Sequence, residues 1–105
     1  QKSFNNAVTN RIAFNAGAGT TIDFSRSNLA YTTATPGNTF TLQNIKDGGT
    51  YTLALQSSGT GTSLFQATNF SFTSLGNYAA TSGKHTLYTF VVMGTVVYFS
   101  MVSAQ

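Results

Sequence analysis

The residues able to do acid–base or nucleophilic chemistry are few and widely spaced. Asp23 and Asp47 are the only carboxylate side chains in the 105 residues, Glu is absent, and His85 is the single histidine. Glycoside hydrolysis needs two carboxyl groups about 5–10 Å apart. Asp47 stands before Gly48 and Gly49, which is the place of a turn former rather than of an acid. A nucleophilic Ser or Thr would need His85 as its base and a third group to orient the imidazole, and no motif supplies one. One His, two Asp and no Cys fall short of the three or four clustered ligands of a metal site. Only a ring of His85 residues around a symmetry axis would gather enough. The expectation is a chain with no catalytic residue, no metal and no cofactor.

The chain does offer neutral hydrogen-bonding side chains interleaved with aromatic rings, the chemistry that neutral sugars require. Aromatic residues make up 13% of the chain, and Thr, Ser, Asn and Gly fill most of the polar remainder. Tyr31, Tyr51, Tyr88 and Tyr98 fall in strand-like runs and read as core residues with a polar tip. Tyr78 stands instead in a loop-like stretch, Gly76-Asn77-Tyr78-Ala79-Ala80. Loops on a rigid scaffold carry binding more often than strands do. The candidate ligand-binding residues are therefore Asn77, Tyr78, Ser82 and Lys84, a stacking ring with neutral donors and one cation. The Thr35–Asn38 turn and the Ser57–Thr62 loop are the other candidate contact surfaces.

These side chains must be positioned by strands. Period-two alternation recurs along the chain, the mark of a strand with one wet face. It sets Ile22 and Phe24, Leu29 and Tyr31, Phe40 and Leu42, then Tyr51, Leu53 and Leu55, and finally Phe70 and Phe72, as inward residues. Thr35-Pro36-Gly37-Asn38 suits a type II turn. Lys46-Asp47-Gly48-Gly49 reads as a hairpin turn between two alternating runs, and Met93-Gly94 as a second, tighter one. Short strands with turn signals at this spacing predict an all-β fold, an antiparallel β-sandwich of jelly-roll type, with no helix. Residues 20–105 form this domain. Residues 1–19, rich in Asn, Ala and Gly, read as an irregular connection to an upstream region, and Gln1 in place of Met reads as the start of a fragment or processed product.

The last hairpin is apolar on both faces: Tyr88, Phe90 and Val92 on one parity, Leu87, Thr89, Val91 and Met93 on the other. A strand with one face in water would alternate, so this hairpin is expected to pack against a second copy of the chain. Charge excludes other partners. Charged residues are 7% of the chain against about 25% in ordinary soluble domains. The five cations are scattered, so the basic stripe of a nucleic-acid binder is missing. No apolar run approaches the ~20 residues that cross a bilayer, so membrane insertion is not expected.

Thr39–Leu53, TFTLQNIKDGGTYTL, then Gly83–Val92, GKHTLYTFVV, then GTVVYFS from Gly94, resemble in type and order the C-terminal tip domains of trimeric phage tail fibres. They are similar also to the fibre-tip modules of the mosaic adhesive trimer proteins of predatory bacteria. The resemblance spans residues 39–103 and none of the N-terminal third. It implies a β-sandwich homotrimer at the end of an extracellular fibre, on a phage particle or a bacterial surface, touching a cell-surface glycan. It transfers no ligand-binding residue. A trimerisation and capping module without a ligand is the alternative, and a depolymerase subdomain with its site between chains is a third reading.

Overall fold

The alternating runs become strands, and the way the chain joins them is set by its corners. The computed structural model describes residues 12–56 and 59–104. It is all-β with no helix among the described residues: β1 (Phe14–Asn15), β2 (Thr21–Asp23), β3 (Leu29–Thr32), β4 (Thr39–Gln43), β5 (Thr50–Gln56), β6 (Leu64–Gln66), β7 (Ser71–Gly76), β8 (His85–Met93) and β9 (Val96–Ser103).

The chain passes from one sheet to the other and returns one position further along, so β1, β3 and β5 pair in parallel in one sheet and β2, β4 and β6 in parallel in the other. Three rungs of a β-solenoid-like winding result. Stacked positions hold like residues: Thr21 opposite Thr41, Ile22 opposite Leu42, Phe40 opposite Phe65. After the third rung the sheet of β5 continues alone. β8 pairs antiparallel with β5, β9 antiparallel with β8, and β7 parallel with β9, giving the order β1-β3-β5-β8-β9-β7.

The antiparallel pairing expected throughout is therefore confined to β5–β8 and β8–β9. The run before Lys46–Gly49 and the run after it do not form a hairpin, because β4 and β5 belong to different sheets. Phe40 and Leu42 of one strand and Tyr51, Leu53 and Leu55 of the other are buried in the same core. The turn spends its polar groups on the terminal hairpin instead. Gly48 N–H donates to the Val92 carbonyl, Val92 N–H to the Gly49 carbonyl, each at 2.9 Å, and the Asp47 carboxylate accepts the Gly94 N–H at 2.8 Å.

The Met93-Gly94 reversal is as expected: Met93 pairs with Val96 across a two-residue turn in which Gly94 has φ 67°. Gly37 has φ 91° after Pro36, which fits the expected type II turn.

The alternation holds in β2, β4 and β5, whose expected inward residues are buried, and fails in β3. Ala30 and Thr32 face inward there, while Leu29 is 51% exposed. Thr32 is accommodated because its hydroxyl lies 2.8 Å from the Gly19 carbonyl and accepts the Ala34 N–H, leaving no polar atom stranded. Within residues 1–19, expected to be irregular or weakly extended, the two-residue β1 pairs with β3 and so joins the sheet. The remainder of that expectation, for residues 1–11, lies outside the described residues. At the core centre, Phe65 of β6 meets Phe40, Tyr88, Phe90 and Phe99, with ring centroids 4.8–5.7 Å apart.

Candidate functional site

The three loops expected to carry contact lie against one another. Gly37 N–H donates to the Ser63 hydroxyl, and Gly61 approaches Gly37 so closely that a Cβ on Gly61 would stand 3.1 Å from its backbone. Gly61 and Ala80 exchange two backbone hydrogen bonds, and Ser82 N–H donates to Thr60 Oγ1. The turn at Thr35–Asn38, the described part of the Ser57–Thr62 loop, and the Gly76–Lys84 segment thus form one continuous surface. The sequence marked each as a loop, but nothing local in it specifies that they meet.

The four candidate residues separate on this surface. Asn77 donates from Nδ2 to the Ser63 carbonyl at 2.9 Å and lines a groove of about 500 Å³ between β6 and β7. Phe65, Phe72 and Phe99 supply the aromatic lining of that groove, Leu64 a further apolar side chain, and Gln66 and Ser74 neutral polar ones. Tyr78 is 50% exposed, with its N–H on the Met101 sulfur. Ser82 and Lys84 belong to the following turn, where Lys84 N–H reaches the Thr81 carbonyl, and of the four candidates only Asn77 lines the groove. Sequence reasoning missed Phe65, Gln66 and Ser74 as groove residues because the groove is made by strands of two different sheets.

Among the described residues, one buried polar atom near this groove, Asn77 Oδ1, has no hydrogen-bond partner, and the Tyr88 hydroxyl has only the Ser63 side chain beside it. An unmet buried acceptor costs about 1–3 kcal/mol. Burial pushes the Tyr88 hydroxyl above the ordinary tyrosine pKa, with the Ser63 side chain opposing that shift.

His85 and Asp47 sit at opposite ends of β8, about 27 Å apart at roughly 3.4 Å per residue, since Asp47 is bonded to Gly94 beyond the far end. Asp23 is held by the Asn44 amide at 2.7 Å and the Ser25 N–H at 2.9 Å, which keep its carboxyl below the usual carboxylate pKa. A carboxylate so held is a poor proton donor. Among the described residues no three His, Cys, Asp or Glu side chains cluster to hold a metal.

The outer face of the six-stranded sheet is a second surface. Tyr31, Ala54, Leu87 and Val102 lie in one row across four strands, with Leu87 45% and Val102 67% exposed. A polar row, Thr52, Thr89 and Ser100, crosses the face next, and beyond it Val91, Tyr98, Met93 and Val96 lie toward the hairpin turn. The four strands of this face, 4, 7, 9 and 8 residues long and about 4.8 Å apart, span roughly 450 Å², about half of the ~800 Å² that each partner of a stable complex buries. Comparison of the chain with protein-family models, with curated proteins and with solved structures gives no match.

Proposed function

We propose that this chain is the receptor-binding, adhesive tip of a homotrimeric extracellular fibre, recognising a cell-surface glycan of a target bacterium. The observation that carries the reading is the gathering of three loops beside a groove with aromatic walls and neutral amides and hydroxyls. Its volume of about 500 Å³ falls in the roughly 300–1,000 Å³ range of ligand clefts. The winding supports a terminal position. Among the described residues β1 and β2 are the first strands of their two sheets, each an edge onto which a further parallel rung can be laid, while β8 and β9 extend the six-stranded sheet by antiparallel pairing. In this reading the two sheets serve as the opposed layers of a sandwich-like tip, and the apolar outer face joins the three copies. The trimer number itself rests on the sequence resemblance.

A sugar in the groove is held by hydrogen bonds of about 0.5–1.5 kcal/mol net each. Single-site affinity is therefore low, and three copies raise it by avidity. Binding is nearly insensitive to salt, because screening acts on charged contacts. A glycan array probed with the intact oligomer tests this. Retention of a discrete glycan set, weakened by Gln66→Ala or Tyr78→Ala in assembled protein, supports the reading. An assembled oligomer that retains no glycan overturns it in favour of the second reading, a trimerisation and capping module without a ligand. The exposed apolar face, which needs a partner but no sugar, favours that alternative.

A further inference from the structure

At the corner where β2 and β4 end, a second cavity of about 220 Å³ opens over the Phe24–Tyr51 ring pair, whose centroids are 4.9 Å apart. Ser25, Asn28, Asn44 and Lys46 complete its lining. Hydrogen-bond accounting fixes how the two amides present themselves. Asn28 Nδ2 donates to the Thr50 carbonyl and Asn44 Nδ2 to the Asp23 carboxylate, each at 2.7 Å. A peptide carbonyl and an ionised carboxylate can only accept, so neither amide can be turned the other way. Each therefore offers its Oδ1 as an acceptor to solvent or to a ligand, since both side chains are exposed. Donors stand beside them. The Tyr51 hydroxyl accepts the Lys46 N–H at 2.9 Å and keeps its own proton to give, and Ser25 Oγ and Lys46 Nζ are further donors.

The backbone is committed to this arrangement. Asn44 has φ 63°, a left-handed conformation that asparagine adopts more readily than most non-glycine residues. Asp23 holds it there and, by accepting the Ser25 N–H, fixes the opposite wall as well.

We infer that this corner is a binding site for a single neutral sugar ring, two adjacent hydroxyls of which donate to Asn28 Oδ1 and Asn44 Oδ1 while Tyr51 and Lys46 donate to its oxygens. The pattern selects among small ligands. Two amide oxygens that only accept stand beside donors from Tyr51, Ser25 and Lys46, and a group of vicinal hydroxyls, each both donor and acceptor, meets both sets where a bare anion or cation meets only one. The cavity lies below the roughly 300 Å³ lower bound of sites for larger ligands, so it takes one ring rather than a chain. The site shares no residue with the groove between β6 and β7 and does not depend on the fibre-tip reading.

Amide NMR titration of the intact chain tests it, with the methyl α-glycosides of glucose, galactose and mannose as probes and inorganic phosphate and calcium chloride as comparisons. At least one glycoside is expected to shift the amides of Ser25, Asn28, Asn44 and Lys46 saturably at millimolar concentration. Asn44→Gly, which keeps the left-handed backbone while removing the acceptor, is expected to weaken that binding by roughly tenfold. Asn28→Ala acts in the same direction, and Gln66→Ala, which alters the groove and not the corner, leaves the titration unchanged, so a failed groove is told apart from a failed corner. No saturable shift with any glycoside overturns the inference. So does a response to phosphate or calcium alone, or unchanged affinity in folded Asn44→Gly.

Discussion

Truncating Phe65 to alanine tests how the short sheet is held to the long one. Phe65 is the only buried side chain of β6, 9% exposed, and it touches four other rings. Phe→Ala in a core costs about 3–5 kcal/mol through lost transfer energy and the cavity left behind. Four ring partners push the value up. The groove on one side pushes it down, because water can enter part of the void. The expected loss is about 4 kcal/mol, a large part of the roughly 5–15 kcal/mol that holds such a domain together. At about 4–8 °C per kcal/mol for a domain of this size, the melting temperature should fall by roughly 15–30 °C. The neighbouring Leu64 points away, 58% exposed, and Leu64→Ala should stay within about 0.5 kcal/mol. Urea unfolding followed by circular dichroism, at one fixed protein concentration so that assembly does not enter the comparison, gives both numbers. A cost below about 1.5 kcal/mol for Phe65→Ala, or an equal cost for Leu64→Ala, would refute the assignment of Phe65 as the joint.

The terminal hairpin separates folding from assembly. Val97 is fully buried, so Val97→Asp should abolish folding by burying an unpaired charge, whereas Val102→Asp, on a residue 67% exposed, should leave circular dichroism intact and lower the mass seen by light scattering. At the Asp47 turn, Gly49→Ala should cost more than Gly48→Ala. Its Cβ would stand 2.5 Å from the Tyr51 hydroxyl, which is itself fixed by the Lys46 N–H, while Gly48 has open space and pays only for its φ of 85°, about 1–2 kcal/mol. Thermal melts of the two variants decide the order. Stability should decline at both pH extremes for separate reasons. The carboxyl of Asp23 titrates below its ordinary value in the fold, so its contribution is present above that value and is lost as the pH falls through the lowered one. Tyr88 is raised by burial, so its contribution is present below the ordinary tyrosine value and is lost as the pH rises through the raised one. Asp23→Asn should flatten the acid limb alone in melting temperature against pH.

The candidate site was legible only in pieces. Asn77 and the three loops could be marked because Gly, Pro and Asn punctuate the chain wherever they occur. Their meeting could not, because Ser63, Gly37 and Asn77 are brought together by strands of two sheets. Asn28 and Asn44 carry no local mark either. What singles them out is which of their amide groups is already spent on Thr50 and Asp23.

The amino-acid order by itself determined that the chain is all-β, where most corners fall, and which side chains of β2, β4 and β5 turn inward. These are local properties, since a period of two follows from the pleat of one strand and a turn from the φ of one or two residues. β8 and β9, apolar on both parities, had their inner face chosen by the tertiary structure. Which strand lies beside which was decided by the tertiary structure alone. Lys46–Gly49 would serve a hairpin or a corner equally well. It became a corner because Asp47, Gly48 and Gly49 bond to the Gly94 N–H and to Val92 rather than joining β4 to β5. The inversion of β3 has the same origin: Leu29 is the more apolar residue, but the hydroxyl of Thr32 finds the Gly19 carbonyl only on the inner side. Alternation reports that a strand has two faces, and only the neighbouring rungs settle which face is inside.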